Sequence, residues 1–133
     1  MNYSWYFKER SELLLAVENY DPKGKYGNAK LWNVSEIDNM EGLFFDCEFN
    51  EDISKWDVSN VYNMDWMFYN CTFKGDISKW DVSNVKYMEG MFERSDFDGD
   101  ISNWNINKVE DMEGMFSNSK LEEEGKIPEW YKP

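Results

Sequence analysis

Twenty-seven carboxylates and no histidine set the chemistry open to this chain of 133 residues. Without histidine the commonest general base, the usual nucleophilic triads and the most frequent metal ligand are all missing. Carboxylate pairs could still work as acid and base, as in a glycosidase, but among 27 acids some pair always stands at a suitable separation, so the pattern selects none. No G-x-x-x-x-G-K-S/T or G-x-G-x-x-G run is present to cradle a phosphate. The residues therefore predict no catalytic group and no cofactor.

Two further groups could bind or react. Asp98 and Asp100 flank Gly99 in the manner of a calcium loop, but the equivalent positions are Lys74 and Asp76 around Gly75, and Asn50 and Asp52 around Glu51. One recurring carboxylate fits a turn better than a site that needs about 6 to 8 oxygen ligands, and no metal is expected. Cys47 and Cys71 share a column with Ser95 and Ser119 and are read as small core residues with free thiols, in keeping with a reducing compartment.

Charge is unevenly spread. Residues 1–30 carry five basic and four acidic side chains, residues 31–119 six and nineteen, and residues 120–133 three and four. The middle segment alone has a surplus of thirteen negative charges, which repels nucleic acid and anionic membrane and attracts basic partners through a salt-sensitive field. No apolar run approaches the roughly 20 residues of a membrane span, and no signal peptide is evident, so the expected location is the cytoplasm.

The elements that must position these groups emerge when the chain is written in rows of 24. Trp32, Trp56, Trp80 and Trp104 share a column, as do Val34, Val58, Val82 and Ile106, and Met40, Met64, Met88 and Met112. Ile37, Val61, Val85 and Val109 form another, followed by Leu43, Met67, Met91 and Met115, and by Phe44, Phe68, Phe92 and Phe116. The decapeptide DISKWDVSNV is repeated unchanged at 52–61 and 76–85. A strict short period with apolar columns means that each unit packs chiefly on its neighbours. The expected organisation is a helical cap over 1–25, four repeats over 26–121, and a cap over 122–133. Within a repeat, Ile53, Trp56 and Val58 end in a strand-like alternation, whereas Val61, Met64, Met67 and Phe68 recur at threes and fours and predict a helical turn. Residues 6–20 predict an amphipathic capping helix, and Trp130 falls outside the 24-residue register.

The pattern F-x-G-D-I-S-x-W-x-V-S-N-V-x-x-M-x-x-M-F, as at Phe73 to Phe92, resembles the BspA-like leucine-rich repeats found in mycoplasma lipoproteins and bacterial surface proteins. The resemblance covers about three quarters of the chain. It implies an α+β repeat solenoid with a parallel strand per repeat on one side and helical turns on the other, and it implies adhesive or protein-binding roles without assigning an activity.

Two outward surfaces follow. Beside the Trp column stand Asp57 and Asp81, with Lys55 and Lys79. On the Met side an acidic ridge gathers Asp38, Glu41, Asp65, Glu89, Glu110, Asp111 and Glu113, and with it Trp66, whose counterparts are Gly42, Gly90 and Gly114. Trp66 is either an exposed anchor for a partner or a ring folded over its own turn. The predicted function is a monomeric, non-enzymatic protein-binding module for a basic partner. Two narrower alternatives are a phage-type inhibitor, anti-CRISPR or otherwise anti-defence, that blocks a basic nucleic-acid groove by charge mimicry, and a surface adhesin repeat.

Overall fold

The structure, a computed structural model, describes residues 2–132. The chain opens with a short strand, β1 (Trp5–Tyr6), and a helix, α1 (Arg10–Glu18). Leu13, Ala16 and Val17 recur at helical spacing and are buried, while Leu15 on the opposite side is exposed. β1 pairs in parallel with β2 (Trp32–Asn33), which follows a single 3₁₀ turn at Ala29–Leu31. Near the other end a short helix, α2 (Lys120–Glu123), is capped by the Ser119 hydroxyl, which accepts from the Glu122 N–H at 3.1 Å.

Between these ends successive segments lie side by side at an offset of 24 residues. Parallel bridges join Asn39 to Asn63, Asn63 to Tyr87, and Tyr87 to Asp111. Every second N–H then donates to the following segment: Met64 to Tyr87 O at 2.8 Å, Trp66 to Glu89 O at 2.8 Å, Phe68 to Met91 O at 2.9 Å and Asn70 to Glu93 O at 2.9 Å. The same four bonds start from Met40, Gly42, Phe44 and Asp46, and again from Met88, Gly90, Phe92 and Arg94. Bonds also return on either side of these four, as from Tyr62 N–H to Asp38 O at 2.8 Å and from Asp96 N–H to Cys71 O at 3.0 Å.

This places the ladder in the half of the repeat that the spacing assigned to a helix, which is a correction. The Val61 to Phe68 stretch and its equivalents are hydrogen-bonded turns, and the Ile–Trp–Val half has no strand beyond β2. The cause lies in two backbone positions per repeat with left-handed φ. One column is Gly42, Trp66, Gly90 and Gly114, and the other is Asp46, Asn70, Arg94 and Asn118. A left-handed residue every four positions interrupts any helix while leaving alternate N–H groups pointing the same way.

The apolar columns fill the interior. Phe44, Phe68, Phe92 and Phe116 stack with centroids 5.3, 5.5 and 5.7 Å apart and planes within 15°, a separation set by hydrogen-bonded neighbours about 4.8 Å apart. On the other side each Trp indole crosses to the preceding segment: Nε1–H of Trp56 donates to Ala29 O at 2.8 Å, Trp80 to Ile53 O at 3.0 Å and Trp104 to Ile77 O at 3.1 Å. Trp130 extends this series despite its displaced sequence position. Its ring stacks on Trp104 at 6.5 Å and its Nε1–H donates to Ile101 O at 3.0 Å.

The duplicated Asp and Ser residues serve the Trp side of each segment. The Oδ1 atoms of Asp52, Asp76 and Asp100 accept the N–H groups of Ser54, Ser78 and Ser102 at 2.9 to 3.0 Å. These bonds hold the three carboxyls below their ordinary range, with a side-chain bond from the same serine leading at Asp52 and Asp100 and the backbone bond leading at Asp76. The Cys–Ser column plays a comparable part, since Cys47 Sγ, Cys71 Sγ and Ser95 Oγ accept from the N–H of Phe49, Phe73 and Phe97. Both thiols are free, and burial pushes Cys71 up to about 11.

Replacing Trp80 with Phe keeps an aromatic ring but removes the indole bond to the Ile53 carbonyl, which retains the Trp56 N–H at 3.1 Å. The lost bond alone should lower the unfolding free energy by about 0.5–1.5 kcal/mol, measured by urea denaturation. Trp66→Phe, whose indole nitrogen has no such acceptor, should lose less in the same assay.

Candidate functional site

The turn face presents three columns in parallel. Their order along the chain is carboxylate, left-handed residue, and, three positions further on, an outward residue that is aromatic in the first two rungs. The carboxylate column is Glu41, Asp65, Glu89 and Glu113, one acid in each rung. Because the ladder fixes the rung spacing, these side chains cannot spread apart along the stack. Asp65 is half-buried and its Oδ1 accepts the Glu89 N–H at 2.7 Å.

Electrostatics records the crowding. Desolvation raises the Asp65 carboxyl above its ordinary value, and Glu41 and Asp111 add to the rise while the Glu89 N–H opposes it. Glu89 is also raised, again by desolvation first and then by Asp111, Asp65, Glu113 and Glu93. Among the described residues the ion pairs are Lys30–Asp52, Lys120–Glu124 and Lys126–Glu124, so no acid of the column has a cationic partner within 4 Å. At the N-terminal end the Arg10 guanidinium donates to the backbone carbonyl of Glu41, leaving the Glu41 carboxylate exposed.

Trp66 occupies the left-handed column at φ 59°, where the other three rungs carry glycine. Its ring lies on Gly90 of the next rung, so closely that a β-carbon there would overlap it. The two sequence readings of Trp66 therefore merge: the ring is folded down, over its neighbour's turn rather than its own, and stays half-exposed. It meets Tyr69 edge-on at 5.6 Å, and Tyr69 stacks on Phe45 at 4.6 Å. Phe45 is 51% exposed. Phe45 and Tyr69 escaped the sequence reading because their column continues as Glu93 and Ser117, which breaks the apolar pattern. The signal that could have found them is that break itself: aromatics of this column confined to the rung of Trp66 and the one before it.

The structure gathers Glu41, Asp65, Trp66 and Glu89 into one surface, with Asp111 and Glu113 at its C-terminal end. Asp38 stands toward the N-terminal cap, in a depression shared with Lys8, Arg10 and Tyr62. Glu110 lies at the last rung beside Val109 and Met112. Asp57 and Asp81 are elsewhere, on the Trp side, where they line a shallow depression of about 450 Å³ with Lys55 and Lys79. Their Oδ1 atoms accept from the N–H groups of Ser59 and Ser83 at 3.0 Å, so half of each carboxylate is committed to its own turn. No group of three or more acids or cysteines is arranged to hold a metal ion among the described residues.

The family described as "Mycoplasma protein of unknown function, DUF285" matches residues 7–130. The chain belongs to this family. No curated protein and no solved structure matches it. The DUF285 match runs from the N-terminal cap through Trp130, so cap and ladder are covered together. It agrees at a coarse level with the resemblance drawn from the repeats, through their occurrence in mycoplasma proteins, and leaves the activity unassigned. Within the described residues of this DUF285 chain no helix is long and apolar enough to cross a membrane.

Two outcomes test the site. Gly42→Ala meets only the left-handed backbone cost of about 1 kcal/mol, since its β-carbon would sit 3.8 Å from its nearest neighbour. Gly90→Ala meets that cost and the Trp66 ring, so its loss in urea denaturation should be larger, and the two losses should become equal in a Trp66→Gly background. Separately, Asp65→Asn keeps an oxygen to accept the Glu89 N–H and removes a crowded charge. A carboxyl raised by folding withdraws stability as pH climbs from its unfolded toward its folded value. The variant should therefore be more stable than the parent at about pH 7, with the gain fading as both states become protonated near about pH 3.

Proposed function

We propose that this chain is a non-enzymatic interaction module of the BspA-like repeat class. It engages a basic protein partner through the turn face. The observation that carries the reading is the unpaired carboxylate column beside a left-handed Trp66. Three rungs use glycine where the fourth uses Trp at a backbone cost, and residues in such conformations persist where the ring itself is used. A lysine or arginine laid between Trp66, Tyr69 and the acids would gain a cation–π contact and relieve the repulsion between Asp65 and Glu89.

The repeat architecture also supports the reading. An array stacked at fixed spacing offers a long surface for its size, and the absence of histidine and of phosphate-binding motifs leaves no assembled catalytic apparatus to argue from. Nucleic-acid mimicry and surface adhesion are narrower forms of the same proposal, as is a cytoplasmic, monomeric state. The mimic requires that the column displace DNA or RNA from its partner.

The test uses an arginine–glycine alternating peptide titrated into the chain by calorimetry. Binding should weaken steeply with salt, and Trp66→Gly combined with Glu89→Gln should reduce affinity by about tenfold or more, while Asp57→Asn with Asp81→Asn leaves it unchanged. Equal affinity for all three proteins would remove the turn face from the proposal.

A further inference from the structure

The last rung is unfinished. In the three preceding segments the Val–Ile–Met side is closed: Val34, Val58 and Val82 are 1% exposed, Ile37, Val61 and Val85 at most 2%, and Met40, Met64 and Met88 fully covered. Their successors Ile106, Val109 and Met112 are only partly buried. The C-terminal cap explains the asymmetry. Trp130 and Tyr131 continue the Trp column and cover Phe116, and α2 follows the Ser119 turn, but on the Val–Met side Lys132 N–H donates to Met112 Sδ at 3.5 Å and no fifth segment follows among the described residues.

Backbone groups tell the same story. Because the ladder donates toward the C-terminal end, the final rung holds the donors that have no next segment. Asn118 N–H is taken by Glu122 Oε1 at 3.0 Å, the Tyr131 hydroxyl approaches the Gly114 N–H, and the N–H of Phe116, another ladder donor of this rung, finds no backbone partner among the described residues. Met112 N–H and the Glu110 carbonyl find no backbone partner among the described residues, although Met40, Met64 and Met88 each donate onward and Asp38, Tyr62 and Lys86 each accept. Around this open edge lies a depression of about 360 Å³ lined by Val109, Glu110, Asp111, Met112, Glu113 and Lys132.

We infer that this edge is a docking site for an extended, basic segment of a partner protein, which adds a parallel rung to the ladder. It is a second surface, at the end of the stack, and does not depend on the turn-face proposal. The hydrogen-bond pattern specifies an extended backbone, with a carbonyl for Met112 and an N–H for Glu110. Half-exposed Ile106, Val109 and Met112 call for apolar side chains at the inward positions. Glu110, Asp111 and Glu113, against Lys132 alone, call for lysine or arginine at the outward ones. A second copy fits poorly. Its own final rung would set three acids against three, and its N-terminal end is closed over Ile37 and Met40.

The probe is an acetylated octapeptide copying Val85 to Phe92, a rung that already stacks in this register, with Glu89→Lys. Nitrogen-15 spectra of the whole chain should show shifts centred on Val109 to Glu113 and slowed exchange of the Met112 amide. The same peptide with its glutamate retained should bind about tenfold more weakly at low salt, and Glu110→Gln with Glu113→Gln, a change that spares the core, should erase that difference. Val109→Asp should abolish binding while leaving the spectra of the first three rungs unchanged. Equal binding of a scrambled peptide, or no change at Met112, would overturn the inference. Concentration-dependent dimerisation in sedimentation that Val109→Asp removes would instead assign the edge to a second copy and overturn the choice of partner.

Discussion

The structure depends on a ladder of backbone hydrogen bonds that run mostly one way. From each segment four alternate N–H groups donate to the segment 24 residues later, and fewer return on either side of them. This arrangement sets the rung separation, and the separation dictates what every column must be. Aromatic and aliphatic side chains at that distance stack and exclude water, each aromatic pair adding about 0.5–1.5 kcal/mol beyond its buried area. A column of carboxylates at the same distance repels itself. The ladder therefore makes the interior cohesive and one outer column frustrated by a single geometric fact.

Direction has a second consequence. A stack whose donors point toward its C-terminal end presents carbonyls at one end and N–H groups at the other, so the two ends need different caps. The N-terminal end meets its carbonyls with donors, among them the Arg10 guanidinium and β1. At the C-terminal end the Glu122 carboxylate takes the Asn118 N–H, and the Tyr131 ring covers Phe116. The N–H groups of Met112 and Phe116 have no such partner among the described residues.

Much of this was legible in the sequence because a strict period exposes columns directly. The Trp, Val, Met and Phe columns can be read off rows of 24, and the glycine column marks Trp66 as the exception. The assignment of strand and helix within a repeat was not legible. Val61, Met64, Met67 and Phe68 satisfy a helical spacing, but left-handed residues at Trp66 and Asn70 reshape them into turns, and neither Trp nor Asn announces that conformation as glycine does. Trp130 was read only as lying outside the register, for a different reason. The inserted α2 turn shifts it by two residues from the expected place, yet its ring and indole N–H meet the same partners as the rest of the series. Phe45 and Tyr69 are local to two rungs, so no column points to them.

The central claim is that the segments are locked in a 24-residue register by bonds crossing between them. Hydrogen–deuterium exchange of the indole N–H groups reads this directly, because a side-chain N–H is protected only if its cross-segment acceptor is in place. The account predicts that Trp56, Trp80 and Trp104 exchange as slowly as the Met64 and Phe68 amides, whereas Trp66, which has no acceptor, exchanges at the rate of an open indole. Rapid exchange at Trp56, Trp80 and Trp104, matching Trp66, would contradict it.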